Sequence, residues 1–483
     1  MRLKIVFRFL ALISVVISCS MLFPLFWALK DGTDDSNSFV LSMGVGFVMS
    51  GLLFYAGKGA KPQDMGSREA FAAVTLAWVF ASLQGSLPYL FGGYITSFTD
   101  AYFEAMSGFT TTGATIIKDI AANPRGILMW RAQTQWLGGM GIVVLTIALL
   151  PMLGVTMTNL FKAESPGPVL EKISPRIQDM ATMLWQVYMG LTVLGVLLLM
   201  CGGMNLYESI SHTFTAVSTG GFSPKNGSVG EYNSAWFDWV LTFVMFLSGA
   251  NFNLHFLFIM KKNLTPYRDP EFKFYTKITL LASFAIAAFI YFNGIYSTVP
   301  DALRFAAFQV VSLMTTTGFV TADYSLWPPF TQLLLVLLMI LGGCAGSTSG
   351  AVKCVRIQVL LKQISAELKR CIHPHATVPV RIGSHSVNAE MVHSAVTFVA
   401  LYMLIFFAAS VGVAATGDDI LTSITAVAAT LGNVGPGLGN VGPVNNFADE
   451  HFAAKWIYSF CMLTGRLELY TVLVLFTKDA WKR

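Results

Sequence analysis

The chain has 483 residues, of which 54% are hydrophobic and only 12% are charged. This composition excludes a water-soluble protein of several domains, because so few charged side chains cannot cover its surface. The formal net charge of +5 is spread over many connecting segments instead of one basic patch, which excludes nucleic acid as a partner.

Two long apolar stretches begin the chain, at about residues 5–29 and 38–56. Each is long enough to cross the roughly 30 Å hydrocarbon core of a membrane. We predict that residues 1–69 form two N-terminal transmembrane helices, with no loop between them of the kind described next.

Four units follow, and each contains a first span, a short half-helix, a loop rich in Thr and Gly, and a second span. The half-helices are predicted at residues 98–109, 207–217, 302–314 and 420–429, and the units at residues 70–180, 181–274, 275–389 and 390–483. The predicted fold is an all-α polytopic membrane protein, in which four pseudo-repeats surround one pore and two extra spans precede them.

The four loops have related sequences, which are TTTGA at 110–114, VSTGG at 217–221, TTTGF at 315–319 and TLGNV at 430–434. Their first glycines align Gly113, Gly220, Gly318 and Gly432, although the fourth segment contains GNVGP twice and Gly435 is a rival to Gly432. The residues predicted to bind an ion through their backbone are Thr111, Thr112, Gly113, Thr219, Gly220, Thr316, Thr317, Gly318, Leu431, Gly432, Asn433 and Gly435.

These loops have the chemistry of a filter for a monovalent cation. Glycine adopts positive φ at no steric cost, so successive carbonyl groups can face one side and replace the water shell of the ion. The C-terminus of each half-helix carries about half a negative charge, which also favours a cation. Glu104, in the first half-helix, has no counterpart in the other three, and we interpret it as a local hydrogen-bonding anchor.

Each second span carries small residues at a similar distance after its loop, namely Gly138-Gly139, Gly249-Ala250, Gly342-Gly343 and Gly465. Membrane helices approach each other closely through small residues. We interpret Gly138, Gly139 and Gly249 as positions of close helix contact.

The second span of the third unit is interrupted by the sequence GGCAGSTSGA at 342–351, followed by Lys353. Four glycines, each unfavourable in a helix by about 1 kcal/mol, predict an unwound, mobile loop that gates the pore, and a close helix crossing is the alternative. The residues predicted to form the gate are Gly343, Gly346, Ser347, Thr348, Ser349, Gly350, Lys353 and Arg466.

Arg466 lies near the middle of the last span, where a charge costs about 2.5–3.5 kcal/mol to insert. We expect it to act as an electrostatic plug near the gate, and a buried structural ion pair is the alternative. Glu468 is two residues away and points to another side of a helix, so we do not expect it to pair with Arg466 within the helix.

Basic residues concentrate in alternate connections, for example Lys58 and Lys61 after the second span of the chain, and Lys261 and Lys262 after the second span of the second unit. By the positive-inside rule this distribution places both termini in the cytoplasm. The chain has no nucleophile–base pair and no metal-ligand spacing, so we predict neither an enzyme nor a resident cofactor. A GxGxxG pattern at 437–442 follows a half-helix instead of a strand, and no P-loop occurs, which excludes nucleotide binding by this chain.

The loops resemble those of the bacterial Trk-type potassium uptake subunits, within the Trk/Ktr/HKT superfamily. The matching segments span the whole chain and are found at residues 110–113, 218–224, 315–319, 432–437 and 464–468. The resemblance implies a single chain that imitates a tetrameric potassium channel, carries K⁺ and works in the bacterial inner membrane. It also implies a homodimer embedded in membrane lipid and controlled by a cytosolic nucleotide-binding ring.

In families of this type, a glycine at the first filter position accompanies selectivity for potassium over sodium, and all four aligned positions here are glycine. The second and fourth loops depart from TTTG, which predicts relaxed selectivity. A potassium symporter coupled to protons or sodium is the alternative function, although only Arg466 and Glu468 are ionisable residues deep in the spans.

Overall fold

The computed structural model describes residues 2–60, 65–141, 177–383 and 385–481. These residues form helices joined by loops, and a short antiparallel pair of strands, β1 (Arg381–Ile382) and β2 (His385–Ser386), lies outside the bundle of spans. Six of the described helical segments are long and apolar enough to cross a membrane, and eight are if each bent pair is counted as one span. The prediction of an all-α membrane protein is confirmed.

The N-terminal region contains α1 (Leu3–Ser20) and α2 (Leu22–Asp31), which together make one span, and α3 (Asp35–Ala56), which returns. These helices pack through small and polar residues. Ser14 Oγ donates to the Gly46 carbonyl at 2.8 Å, and a Cβ on Gly46 would lie 2.2 Å from Ser18 Oγ. Helices in lipid gain nothing from burying apolar surface against each other, so close contacts of this kind hold them together.

Each of the four units opens with a full span. These spans are α4 (Ser67–Gly85) with α5 (Leu87–Phe91), α8 (Ile177–Cys201), α12 (Pro270–Phe292) and α16 (Ala389–Ala414).

The four half-helices follow these spans and are called the pore helices. They are α6 (Phe98–Phe109), α9 (Leu206–Val217), α13 (Val299–Met314) and α17 (Ile420–Leu431). Three of them have 12 residues, or about 18 Å of helix, which is too short to cross the bilayer. A polar side chain at each N-cap accepts a hydrogen bond from the backbone N–H three residues on, and the caps are Ser97, Asn205, Thr298 and Asp419.

The second spans of the second and fourth units are broken, and this differs from the sequence prediction, which placed an interruption only in the third unit. In the second unit α10 (Ala235–Ser248) and α11 (Phe252–Lys261) meet at 94°, and in the fourth α18 (Phe452–Arg466) is followed by a bend of 112°. The continuous spans predicted at 236–260 and 453–476 were therefore wrong. Backbone at Glu468 and Leu469 with φ of 54° cannot continue a right-handed helix.

The remaining described elements complete the bundle. The first unit contains α7 (Arg125–Gly139), and residues 142–150 of its predicted second span lie outside the described residues. The third unit has α14 (Pro329–Leu341) and α15 (Cys354–Ile372) on the two sides of a non-helical segment. The chain ends with α19 (Tyr470–Leu473), a 3₁₀ turn (Val474–Phe476) and α20 (Lys478–Trp481).

Small residues at or just before the breaks of the second spans lie against the ends of the pore helices. A Cβ on Gly138 would lie 1.7 Å from the carbonyl oxygen of Phe109, and one on Gly465 would lie 2.0 Å from that of Leu431. A Cβ on Gly249 would lie 2.6 Å from the Thr315 side chain. The interpretation of Gly138 and Gly249 as close helix contacts is confirmed, and so is that of Gly139, where an added Cβ would lie 2.5 Å from the Ser218 side chain at the end of α9. These contacts lie where the four loops begin.

Candidate functional site

The four loops share one backbone conformation. Each has a positive φ two residues after the last residue of the pore helix, with values of 53° at Thr111, 55° at Thr219, 59° at Thr316 and 54° at Asn433. Each has a second positive φ two residues later, with values of 83° at Gly113, 79° at Gly221, 81° at Gly318 and 104° at Gly435. Four segments of one chain therefore repeat the same pair of left-handed turns.

Hydrogen bonds establish the same register. In each loop the N–H of the residue between the two left-handed positions bonds to the carbonyl group five residues earlier, as in a Schellman helix end. The pairs are Thr112 to Ser107 at 2.9 Å, Gly220 to Thr215 at 2.8 Å, Thr317 to Ser312 at 2.8 Å and Val434 to Ala429 at 2.7 Å.

This register corrects the alignment of the glycines. Gly221 and Gly435 correspond to Gly113 and Gly318, whereas Gly220 corresponds to Thr112 and Gly432 to Thr110. Alignment on the first glycine was wrong in the second and fourth loops because neither Gly220 nor Gly432 has a positive φ. Gly432 has φ of −78°, which any residue can adopt. The conformation requires glycine only at the second left-handed position.

Three threonines stand at the first left-handed position, which is unusual. A β-branched residue at positive φ is a conformational outlier that costs roughly 1–2 kcal/mol. Strain of this kind persists where surrounding structure enforces it, often at functional sites. Here Thr111 and Thr316 each lie between two threonines whose hydroxyls contact each other, Thr110 with Thr112 at 2.8 Å and Thr315 with Thr317 at 2.8 Å.

The four loops meet in a closed ring. A Cβ added to Gly113 would lie 2.1 Å from the Gly220 carbonyl oxygen of the second loop, and one on Gly221 would lie 2.0 Å from Thr317 O of the third. A Cβ on Gly318 would lie 1.9 Å from the Val434 carbonyl oxygen of the fourth loop, and one on Gly435 would lie 2.7 Å from the Thr112 carbonyl oxygen of the first. Residues 110–113, 218–221, 315–318 and 432–435 are called the loop ring below.

Two side chains hold the ring: Gln135 lies outside the loops and was not found in the sequence analysis, and Asn433, which was predicted there, lies within the fourth loop. Gln135 on α7 donates through Nε2 to the Gly220 carbonyl at 2.6 Å and accepts from the Phe222 N–H at 3.0 Å. Asn433 Nδ2 donates to Thr112 Oγ1 at 3.0 Å and so joins the fourth loop to the first. Leu431, which was predicted to lie in the filter, is the last residue of α17 and is buried.

A buried ion pair supports the first loop from behind. Arg131 Nε lies 2.8 Å from Glu104 Oε1, with side chains 2% and 0% exposed. Glu104 also accepts from the Ile116 N–H at 2.9 Å, and Arg131 donates to the Ser223 carbonyl at 3.3 Å. The interpretation of Glu104 as a hydrogen-bonding anchor is confirmed. Arg131 was missed, although a cation within an apolar span could have indicated it.

The interrupted segment of the third unit, residues 342–353, lies against the loop ring and is called the crossing segment. Thr348 Oγ1 donates to the Val217 carbonyl at the end of α9 at 3.1 Å, and the Gly350 N–H donates to Thr316 Oγ1 at 2.9 Å. A Cβ on Gly350 would lie 2.5 Å from the Gly432 carbonyl oxygen. The segment therefore touches the second, third and fourth loops or their pore helices.

The crossing segment is non-helical but well hydrogen-bonded. The Gly346 carbonyl accepts from the Phe252 N–H at 3.0 Å, and the Ser347 hydroxyl contacts that of Ser349 at 2.7 Å. A Cβ on Gly343 would lie 2.5 Å from Ser349 Oγ, so the chain folds back closely on itself. Thr348 and Ser349 are buried, each with 3% of its surface exposed.

Arg466 joins the crossing segment to the first unit. Its guanidinium donates to the Thr348 carbonyl at 2.7 Å and to the carbonyl groups of Gly138 and Gly139 at 2.6 and 3.0 Å. Because Arg466 belongs to the fourth unit and Thr348 to the third, these bonds complete a connection through all four units. A positive charge is thereby fixed beside the buried Thr348.

The chain belongs to the TrkH family. This follows from a match to the family model of TrkH, described as a cation transport protein, over residues 36–482. The chain is 38% identical to the Trk system potassium uptake protein TrkH of Salmonella typhimurium and 40% identical to that of Halomonas elongata, with all of both chains covered in each case. It also superimposes on the crystal structure of the potassium transporter TrkH from Vibrio parahaemolyticus, with a TM-score of 0.89, 35% identity and full coverage of both chains.

As a TrkH-family protein the chain is a multi-pass membrane protein, and its buried charges need partners. Glu468 supplies one: it is 2.7 Å from Lys353 Nζ and also contacts the Arg356 guanidinium, and all three side chains are no more than 13% exposed. Arg356 was missed because the pairing depends on the break after Arg466, which the sequence analysis did not predict.

Glu271, in the first turn of α12, is a second carboxylate beside the crossing segment. A single oxygen, Oε1, accepts from the Ala345 N–H at 2.8 Å and from the Val355 N–H at 3.0 Å. The first donor lies near the start of the segment and the second lies in the first turn of α15. Glu271 is 7% exposed, and its carboxylate links the crossing segment to the first turn of α15.

Proposed function

We propose that this protein takes up potassium across the bacterial inner membrane through an opening at the centre of the loop ring. The observation that carries the proposal is the cyclic contact of Gly113, Gly221, Gly318 and Gly435, each against the next loop. A ring of four equivalent backbone segments is the arrangement that coordinates a bare monovalent cation. The relatives from Salmonella typhimurium and Halomonas elongata are Trk system potassium uptake proteins, which supports K⁺ as the transported ion.

The filter works through backbone oxygens. In each loop, left-handed residues alternate with residues of negative φ, and this alternation turns successive carbonyl groups towards one side. A carbonyl is a neutral dipole, so it stabilises a cation enough to replace part of its water but not enough to trap it. The four pore helices end at the ring, and their C-termini add a negative potential there.

The crossing segment acts as the gate in this proposal, with Thr348 as the blocking residue and Arg466 as its latch. The contacts of Thr348 with Val217 and of Gly350 with Thr316 place the segment directly against the ring. At an effective dielectric constant of 20, a fixed unit charge about 5 Å from a cation opposes it by roughly 3 kcal/mol. Release of Arg466 and movement of the segment would remove both the steric and the electrostatic barrier.

The surface of α15 supports two partners. Its apolar residues Leu361, Ile364, Leu368 and Ile372 recur at helical spacing and are 52%, 48%, 62% and 72% exposed. We propose that this stripe packs against a second copy in a homodimer. The basic residues between Lys353 and Arg381 are proposed to dock a cytosolic nucleotide-binding ring, since the sequence predicts no nucleotide site in this chain. By the positive-inside rule both termini are then cytoplasmic.

Flux into liposomes tests the function. The purified protein is reconstituted with a potassium gradient, and sodium and proton gradients are imposed or abolished separately. We expect K⁺ flux to follow the potassium gradient and membrane potential alone. A strict requirement for sodium or for a proton gradient would replace the channel mechanism by coupled symport, and absence of K⁺ flux in both the wild type and Arg466→Ala, which removes the proposed latch, would refute the proposal.

A further inference from the structure

A groove of about 470 Å³ lies along the outer face of α12, at the end where this span begins. Lys273 and Lys277 line one end of the groove, and Leu280, Leu281 and Phe284 line the other. The residues that line the groove belong neither to the loop ring nor to the crossing segment.

The two faces of α12 differ sharply. Glu271, Tyr275 and Thr279 recur every four residues and are buried against the protein. On the other face, Leu280, Leu281 and Phe284 are 51%, 59% and 58% exposed. This face is turned to the surroundings of the bundle, which for an apolar span are lipid.

The lysines are spaced for a single anion. Lys273 and Lys277 are one turn apart, which places their Cβ atoms about 5–6 Å from each other on the same side of the helix. Both side chains are exposed, and within the described part of the chain neither forms an ion pair. Two ammonium groups therefore stand together at the polar end of an apolar groove, and neither has an ion-pair partner among the described residues.

The depth of the groove fits one leaflet. From Lys277 to Phe284 the helix rises about 10 Å, which is within the roughly 15 Å that one leaflet contributes to the hydrocarbon core. A ligand here must have an anionic head at the lysines and an apolar tail towards the bilayer centre. Basic pockets beside transmembrane helices recognise lipid headgroups through this combination.

We propose that this groove is a binding site for an anionic phospholipid. The phosphate lies between Lys273 and Lys277, and one acyl chain runs along Leu280, Leu281 and Phe284. A second copy of this chain is a less suitable occupant, because it would have to bring an acidic side chain to both lysines at the edge of the membrane. The proposal does not depend on which ion the protein carries.

Native mass spectrometry of the full-length protein, released from detergent micelles, tests the site. The protein is titrated with phosphatidylglycerol and, separately, with phosphatidylcholine of the same chain length. The double variant Lys273→Gln/Lys277→Gln is compared with Lys261→Gln/Lys262→Gln, which removes the same charge from exposed lysines that do not line the groove. We expect the groove variant to bind phosphatidylglycerol at least tenfold more weakly, while the control variant changes less than twofold.

The remaining outcomes are equally decisive. Equal losses in both variants would mean that lipid follows diffuse surface charge, and unchanged binding in the groove variant would mean that lipid sits elsewhere; each overturns the proposal. A groove variant that changes from dimer to monomer while still binding lipid would identify a second copy as the occupant and also overturn it. Thermal unfolding with and without phosphatidylglycerol gives a second readout, because a bound lipid raises the melting temperature only where the site is intact.

Discussion

Replacing a ring glycine by alanine tests how the loop ring selects ions. At Gly318 the new Cβ would lie 1.9 Å from the Val434 carbonyl oxygen, whereas carbon and oxygen atoms in contact lie about 3.3 Å apart. The third and fourth loops must therefore separate by about 1.4 Å, or the carbonyl must turn away. A displacement of that size exceeds what a carbonyl cage tolerates, and we expect the preference for K⁺ over Na⁺ to fall by at least tenfold, or about 1.4 kcal/mol.

The assay is the reversal potential of the reconstituted protein under opposed potassium and sodium gradients. Gly294→Ala is the matched control, because Gly294 has φ of 72° but nothing within 4 Å of the added Cβ. The control carries the same backbone strain, roughly 1–2 kcal/mol, without the collision. If Gly113→Ala and Gly318→Ala both fold and keep the wild-type reversal potential, the ring is not the selectivity filter.

Three further predictions concern the crossing segment. Arg466→Ala should raise basal K⁺ flux by up to roughly a hundredfold, because about 3 kcal/mol of repulsion is lost. The flux of Arg466→Lys should lie between that of the wild type and that of Arg466→Ala, because lysine keeps the charge but not the forked hydrogen bonds; unchanged flux in Arg466→Ala would make Arg466 purely structural. Glu468→Gln should lower the free energy of unfolding by about 3–5 kcal/mol, since it leaves two buried cations without a carboxylate partner. Lys353→Met should lower it less, because Arg356 still pairs with Glu468. Thermal unfolding compares the two variants, and equal losses of stability would contradict the pairing. Glu271→Ala should leave two N–H groups without an acceptor, which lowers stability by about 1–3 kcal/mol each and speeds their hydrogen exchange. Glu271→Gln should preserve most of the protection from exchange. Unaltered exchange in both variants would mean that Glu271 does not support the segment.

Much of the architecture could be predicted from the sequence because membrane spans are continuous runs of apolar residues. The half-helices were also visible, since each is short and is followed by a Thr/Gly loop in the same order. The exact register was not. Glycine occurs at several loop positions for different reasons, and only the backbone shows that Gly221 and Gly435 hold positive φ where Gly220 and Gly432 do not.

The supporting side chains could not be predicted, because they join elements that are far apart in the chain. Gln135 and Gly220 are 85 residues apart, and Arg356 and Glu468 are 112 residues apart. The pairing of Arg356 with Glu468 also depends on the break after Arg466, where Glu468 and Leu469 have positive φ. Periodicity and hydropathy report the composition of a helix, not the point at which close packing forces it to bend.

The most direct test of the central claim is to locate the ion. Crystals of the protein grown with Rb⁺ or Tl⁺ in place of K⁺, measured at the anomalous edge of the substitute ion, would reveal its position independently of any flux assay. The proposed mechanism predicts a peak on the axis of the loop ring, surrounded by backbone oxygens of all four loops and reduced by competing K⁺. A ring without a peak, in crystals where the ion binds elsewhere in the chain, would contradict it.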